Sequence, residues 1–380
     1  MDFSWSEDQL SLKSSLTEFG ATLNDDVIGD DRAARFPLDK WRRCAELGVL
    51  GLAVPDEYGG TGGDILTTMF AMESLGYACR DNGLLFALNA QMWAVQAPIL
   101  RFGSAEQRKR YLPRLLGGES IGAHAMSEPG AGSDSFNMLA TAEQRGNCYV
   151  LNGTKTFASN APVADLFLVF AATNRQRGFM GITAFLIEKG TPGLTVGPPI
   201  EKMGLRTAPY SDVILQDCEI PVEARLGNAG NGGTIFKHSM GWERACILAS
   251  HVGVMQRQLE TCTAYAKSRQ QFGQPIGKFQ QVSSMLVDMR LRLETSRLLL
   301  YHAGWLRAQG HEAVEEVALA KLHLSECFVQ SSLQAIQIHG GYGYSTEVGI
   351  ERDLRDALGG RIYSGTSEIQ REIVARQMGL

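Results

Sequence analysis

Between residues 118 and 227 the chain changes character, and then it changes back. On either side the pattern reads as helices. Inside lie short apolar runs punctuated by glycine and proline, which read as strands. A helix–strand–helix order of this kind argues against a doubly wound dinucleotide fold, because that fold needs alternating βα units. It predicts an α+β protein in three parts, 1–117, 118–227 and 228–380, with a small antiparallel barrel or sandwich in the middle.

In the first part, Ser6 and Gln9 form a capping-box pattern before Leu10, Leu12 and Leu16. Helices are predicted over 38–50, 65–77 and 84–102, and a solvated helix over 105–111. In the second, Asn152-Gly153 sits between Tyr149-Val150-Leu151 and Thr154-Lys155-Thr156-Phe157, the signal of a hairpin with a type I′ turn. Further strands are expected over 165–172, 182–187, 194–196 and 212–215. In the third, helices are expected over 242–269, 280–309, 312–338 and 366–377. The glycine-rich run 227–233 reads as a hinge between the second and third parts, not as a phosphate cradle.

Composition narrows the function classes. Net charge is −5, so no broad basic surface for nucleic acid is implied. Met1 to Asp8 show no basic and then apolar segment, so no secretory signal is expected. The apolar stretches read as too short to cross a bilayer, so no membrane partner is expected. Seven cysteines without a CxxC pair read as reduced thiols in a cytoplasmic protein. No metal-ligand spacing is present, so redox chemistry would need an organic cofactor.

Five ordered segments carry a resemblance. They are Met126-Ser127-Glu128-Pro129-Gly130-Ala131-Gly132-Ser133-Asp134, Lys202-Met203-Gly204-Leu205-Arg206, Arg269-Gln270-Gln271-Phe272-Gly273, Gln337-Ile338-His339-Gly340-Gly341-Tyr342-Gly343-Tyr344 and Ile362-Tyr363-Ser364-Gly365-Thr366-Ser367-Glu368-Ile369-Gln370. Together they resemble the flavin-dependent acyl-CoA dehydrogenase family over the whole chain. The resemblance implies an N-terminal helical domain, a middle β-barrel, a C-terminal four-helix bundle and bound FAD. It implies that Met126 and Ser127 touch the flavin ring, that Phe157 lies against it and that Ser159 bonds its N5. Gly132 and Ser133 would meet the pyrophosphate; Gly130 and Gly132 let backbone amides approach closely. Arg269, Gln271, Phe272, Gln337, Gly341, Thr366 and Glu368 would complete the FAD shell, some of them across a subunit boundary. A homo-oligomer, a dimer of dimers, is therefore implied. Three of these have a plainer reading too: a Pro-Gly turn for the 126–134 loop, packing for Phe157, and a helix-end cation for Arg269.

Many members of the family place the catalytic glutamate between the tyrosine and glycine of the last segment. Here Ser364 stands there, with its backbone N–H left to bind a substrate carbonyl. Met240-Gly241-Trp242-Glu243-Arg244-Ala245 resembles the base position of the isovaleryl-type branch, which makes Glu243 the catalytic base and Arg244 a supporting residue. A glutamate of ordinary pKa, about 4.3, is a weak base at neutral pH, so an apolar site is required. The plainer reading of Glu243 is a salt-bridged glutamate at a helix start.

Gly241 stands where CoA-using members often carry an acid. With 362–367 and 373–376, the segment resembles the prolyl-carrier-protein dehydrogenase/oxidase subgroup. That implies α,β-dehydrogenation of an aminoacyl thioester, L-prolyl-S-carrier protein, towards a pyrroline or pyrrole-2-carboxyl thioester in natural-product biosynthesis. The partner would be an acyl or peptidyl carrier protein with its phosphopantetheine-linked substrate, and the electron acceptor an electron-transfer flavoprotein or O2. Two alternatives remain open: an isovaleryl-type short- or branched-chain acyl-CoA dehydrogenase, and a catalytically silent FAD-binding scaffold.

Overall fold

The computed structural model describes residues 4–380; the first three residues of the segment read for a secretory signal lie outside the described residues. Helices fill 7–116, strands fill most of 122–226, and helices fill 232–377.

Helices from the first and third parts share one core. Met69, Met72 and Leu75 pack with Val252, Leu259, Leu300 and Leu324. The helices Ile65–Ala78 and Ala249–Ser268 cross where Gly76 and Gly253 face each other's backbones. A Cβ on Gly76 would sit 1.9 Å from the Ser250 carbonyl oxygen, and one on Gly253 2.0 Å from that of Glu73. Only glycine admits that approach.

The strands are β1 Gly122–Ala125, β2 Thr141–Arg145, β3 Cys148–Ser159, β4 Leu166–Ala172, β5 Ile182–Glu188, β6 Leu194–Val196, β7 Tyr210–Pro221 and β8 Arg225–Leu226. They form one sheet in the order β6-β7-β3-β2-β4-β5-β8, with β1 also on β4. The expected all-antiparallel pairing does not hold, because β1 and β2 both pair with β4 in parallel. β4 is buried throughout. Leu166, Leu168 and Phe170 face Val95, Ile99 and Leu112 of the first part, while Phe167, Val169 and Ala171 face Tyr149, Leu151 and Val213 across the sheet. Burial on both faces explains its unbroken apolar sequence.

The hairpin expected at Asn152-Gly153 is absent. β3 runs straight through it, with a register shift against β7 between Leu151 and Gly153. The Asn152 amide is engaged by Asp217, donating to Oδ1 at 3.1 Å and accepting from its N–H at 2.8 Å. Gly153 has φ 144°, and a Cβ there would meet the Ala140 Cβ at 2.6 Å. The pair is thus a bulge that bends a long strand. The turn lies earlier, at Gly146-Asn147, where Arg145 pairs with Cys148.

Other expectations also need correction. The run 105–111 belongs to a helix, Ala105–Leu116, whose Tyr111, Leu112, Leu115 and Leu116 are buried, so one face is core rather than solvated. The helix Asn82–Phe102 is long and apolar enough to cross a membrane by length and composition, contrary to the reading of short apolar stretches. It is 78% buried. Its polar residues are held inside: Asn89 donates to the Leu85 carbonyl and Gln91 to that of Leu115, both at 2.9 Å. It packs as a core helix. The helix expected over 242–269 is two helices, Gly232–Cys246 and Ala249–Ser268, broken at Ile247 and Leu248.

Lys202-Met203-Gly204-Leu205-Arg206 acts as a joint. Leu205 N–H donates to Asp356 Oδ1 at 2.6 Å, and Arg206 Nε to the Asp31 carbonyl at 2.9 Å. Arg355 completes it with a 2.7 Å ion pair to Asp31. Sheet, first part and third part meet there.

Candidate active site

The break at 247–248 places Glu243 in the last turn of Gly232–Cys246, not at a helix start. The negative end of a helix macrodipole favours a protonated carboxyl there. Glu243 is 8% exposed. Burial pushes its carboxyl above the usual range, while the Ser364 hydroxyl and the charges of Arg244 and Lys321 pull it back. The salt-bridged reading fails: among the described residues Glu243 makes no ion pair, and its carboxylate accepts from Ser364 Oγ.

Ser364 arrives from 121 residues further along the chain. Its φ is 56°, and that of Gly365 is 92°. Two successive left-handed residues make a tight reversal before the helix Ser367–Gln377. The reversal is pinned by its carbonyls. Ser364 O accepts from Arg244 Nε at 2.8 Å and from Gln370 Nε2 at 3.4 Å. Gly365 O accepts from Lys321 Nζ at 2.7 Å and from Gln370 Nε2 at 2.8 Å. Lys321 is buried on the helix Val314–His339, and burial, with Arg244 nearby, lowers its pKa to about 7. Tyr363 is held behind the site, 3.5 Å from His251 Nε2 and ring to ring with Phe86. Lys321, Gln370 and His251 were not singled out from the sequence. Lys321 and His251 are lone residues inside helices with nothing local to mark them, and Gln370 closes the last of the five segments without having been given a role.

The Trp242 indole lies parallel to Trp93 and carries the Arg307 guanidinium 4.4 Å above its ring. A Cβ on Gly241 would approach Arg307 Nη1 to 3.4 Å, so the absent side chain leaves room beside that cation.

The residues expected to meet FAD fall into two groups by position. Met126, Ser127, Gly132, Ser133, Phe157 and Ser159 belong to the sheet region. A buried ion pair shapes them: Lys155 Nζ donates to Glu128 Oε1 at 2.8 Å and to the Met126 carbonyl at 3.1 Å. The same carboxylate accepts from Leu139 and Ala140 N–H. Ser127 O accepts from Thr156 N–H at 2.8 Å. Next to it, Phe157 has φ 54° and is 60% exposed. A Cβ on Gly130 or Gly132 would meet no heavy atom within 4 Å, so the loop borders open space. A presented aromatic face, open glycine amides and a hydroxyl at Ser133 suit a flat ring carrying a pyrophosphate.

The second group belongs to the C-terminal helical region. Arg269 caps Ala249–Ser268, and the hairpin β9 Gln270–Gln271 with β10 Gln274–Pro275 follows. Its turn residues, Phe272 and Gly273, have φ 50° and 79°, as a type I′ turn requires. Phe272 is 94% exposed. Gln337 and Gly341 lie exposed at the end of Val314–His339 and the start of Gly341–Tyr344. Thr366 caps Ser367–Gln377 by accepting from Ile369 N–H at 3.3 Å, and Glu368 is exposed in its first turn.

Comparison with known sequences gives the family. The acyl-CoA dehydrogenase N-terminal, middle and C-terminal domain models match residues 6–119, 123–218 and 230–379. The chain belongs to the acyl-CoA dehydrogenase family. Within it, the chain is 45% identical to an L-prolyl-[peptidyl-carrier protein] dehydrogenase of a Serratia species, over 100% of this chain and 99% of that one. Among solved structures it resembles the prolyl acyl carrier protein oxidase AnaB, with TM-score 0.98 and 47% identity over 99% and 100% of the two chains. It equally resembles PigA with FAD and proline, with TM-score 0.98 and 44% identity over the full length of both.

Proposed function

We propose that this chain is an FAD-dependent dehydrogenase of L-prolyl thioester tethered to a peptidyl carrier protein. The observation that carries the reading is the buried, desolvated Glu243 carboxylate set against the Ser364 reversal, in a chain alike over its full length to prolyl-carrier dehydrogenases. Glu243 takes the α-proton of the thioester. Its raised pKa makes it a stronger base than an exposed glutamate, and the charges of Arg244 and Lys321 keep it ionised enough to act. The Ser364 N–H donates to the thioester oxygen, where charge develops as the proton leaves. Bound FAD supplies the two-electron acceptor for the hydrogen that leaves the β-carbon, so that a Cα=Cβ bond results. Met126, Ser127, Phe157 and Ser159 would hold its ring; Gly132, Ser133, Arg269, Gln271, Phe272, Gln337, Gly341, Thr366 and Glu368 would hold the rest.

Gly241 and the room it leaves beside Arg307 favour a carrier-borne substrate in this reading. The exposed Arg269–Gly273 hairpin supports a homo-oligomer, read as a dimer of dimers, and seven free cysteines support a place in the cytoplasm. The curved sheet and the C-terminal helices are read as the family's barrel and four-helix bundle. Anaerobic mixing of the FAD-loaded protein with prolyl-S-carrier protein is expected to bleach the flavin. Bleaching by free acyl-CoA alone would overturn the carrier assignment, and a product lighter by two or by four hydrogens counts the oxidation rounds.

A further inference from the structure

The Ser364 side chain has no part in the mechanism above, which uses only its backbone N–H. Yet its hydroxyl is the one hydrogen-bond donor to the Glu243 carboxylate among the described residues. The surrounding construction aims it there. Arg244, Gln370 and Lys321, from three different helices, fix the carbonyls of Ser364 and Gly365. With the carbonyl side pinned and φ at 56°, the Ser364 Cβ has a single direction left to it. An ordinary residue in the left-handed region costs about 1 kcal/mol or more, which glycine would avoid. A serine kept in that conformation, with its hydroxyl on the one carboxylate, marks the side chain as the purpose of the turn.

We propose that the Ser364 hydroxyl is a positioning residue for the base: by donating to Glu243 Oε1 it fixes the carboxylate's rotation and leaves the other oxygen free for the substrate's α-proton. The proposal rests on the reading of Glu243 as the base. A hydrogen bond from a neutral donor favours the ionised carboxylate, in line with its lowering effect on Glu243. The charged and titratable groups facing Glu243 are Arg244 on its own helix, Lys321 from Val314–His339 and Tyr363 from the reversal. Arg307 lies over Trp242 instead. Removing the hydroxyl leaves all of these in place.

The test measures anaerobic flavin reduction of the holoenzyme by prolyl-S-carrier protein across pH, with S364A, S364G and S364N. S364A and S364G are both expected to move the acidic limb to higher pH and to slow reduction roughly tenfold on the acidic side, the equivalent of one lost charge-assisted hydrogen bond. S364N, which tolerates the left-handed turn and carries an amide donor, is expected to move the limb back towards that of the parent protein. A second readout needs no turnover: the infrared C=O band of protonated Glu243, identified by its loss in E243Q, should titrate at higher pH in S364A and S364G. An unmoved limb and band in both variants overturns the proposal. So does a shift in S364A with S364G at the parent position, which would assign the effect to the backbone. If E243Q still reduces flavin, the base assignment itself falls, a result distinct from an immobile pH limb.

Discussion

The Glu243 site and the Arg269–Gly273 hairpin differ in how much of their environment this chain supplies. Around Glu243, side chains from three helices close on two carbonyls, the Ser364 hydroxyl closes on the carboxylate, and Glu243, Lys321 and Gln370 are buried. The hairpin is held by a two-residue ladder and a type I′ turn, and it presents Phe272 to solvent. In the proposed function the first arrangement would be a finished environment for proton transfer. The second is a rigid presentation of an aromatic ring and a cation to something outside the fold. If the proposed function holds, the difference separates residues that set chemistry from residues that recruit a ligand, and variants should separate along the same line.

The largest expected effect is that of E243Q. It should slow flavin reduction about 10²- to 10⁴-fold, as loss of a general base does, with the bound-flavin spectrum retained. Next is K155M. It leaves Glu128 charged, buried and unpaired, which costs about 3–5 kcal/mol in denaturant unfolding, and it should release FAD by loosening the Met126–Ser133 loop. R269A should invert that pattern. FAD affinity, read by fluorescence titration, should fall roughly ten- to hundredfold through loss of a charge-assisted contact, with apoprotein stability unchanged within about 0.5 kcal/mol. Smaller still is S104A, remote from both regions: loss of the cap on Ala105–Leu116 should cost about 1 kcal/mol and leave chemistry and FAD binding alone.

Acid should act on the buried framework. Burial lowers His124 and His238 to about 4 and His251 to about 3, from an ordinary 6.5. Their stabilisation is complete above 6.5 and is lost as pH falls towards those values, because the unfolded chain binds more protons there. Asp356 acts in the opposite sense between 3.8 and about 6. Asp81 and Glu243, also raised by burial, act with Asp356, while His323 and His339, also lowered by burial, act with the other three histidines. Five depressed histidines outweigh three raised carboxyls, so the thermal midpoint should drop steadily from pH 6.5 to pH 4. A midpoint that rises in that range would show that the carboxyls dominate.

The sequence carried the three-part order and the motif positions, and the structure shows Glu243 and Ser364 in contact. Its errors share a cause. Asn152-Gly153 has the composition of a turn, but Asp217 and Ala140, distant in sequence, decide what those two residues do. The type I′ turn that does form, at Phe272-Gly273, lacks the usual asparagine, and its bulky first residue concealed it. The break at Ile247-Leu248 has no glycine or proline, so only the packing of two helices around it sets the position of Glu243. Lys321 was invisible, and the role of Gln370 at the end of its motif was unread, because hydrogen bonds to carbonyls leave no periodic signature.

The long interval between Glu243 and Ser364 also has a consequence for synthesis. A growing chain that has emerged as far as residue 360 already holds the glutamate and the sheet, but not the hydroxyl or the turn that Lys321 and Gln370 clamp. In the proposed mechanism, then, the base would meet its hydrogen-bond partner only once translation has delivered the final helix.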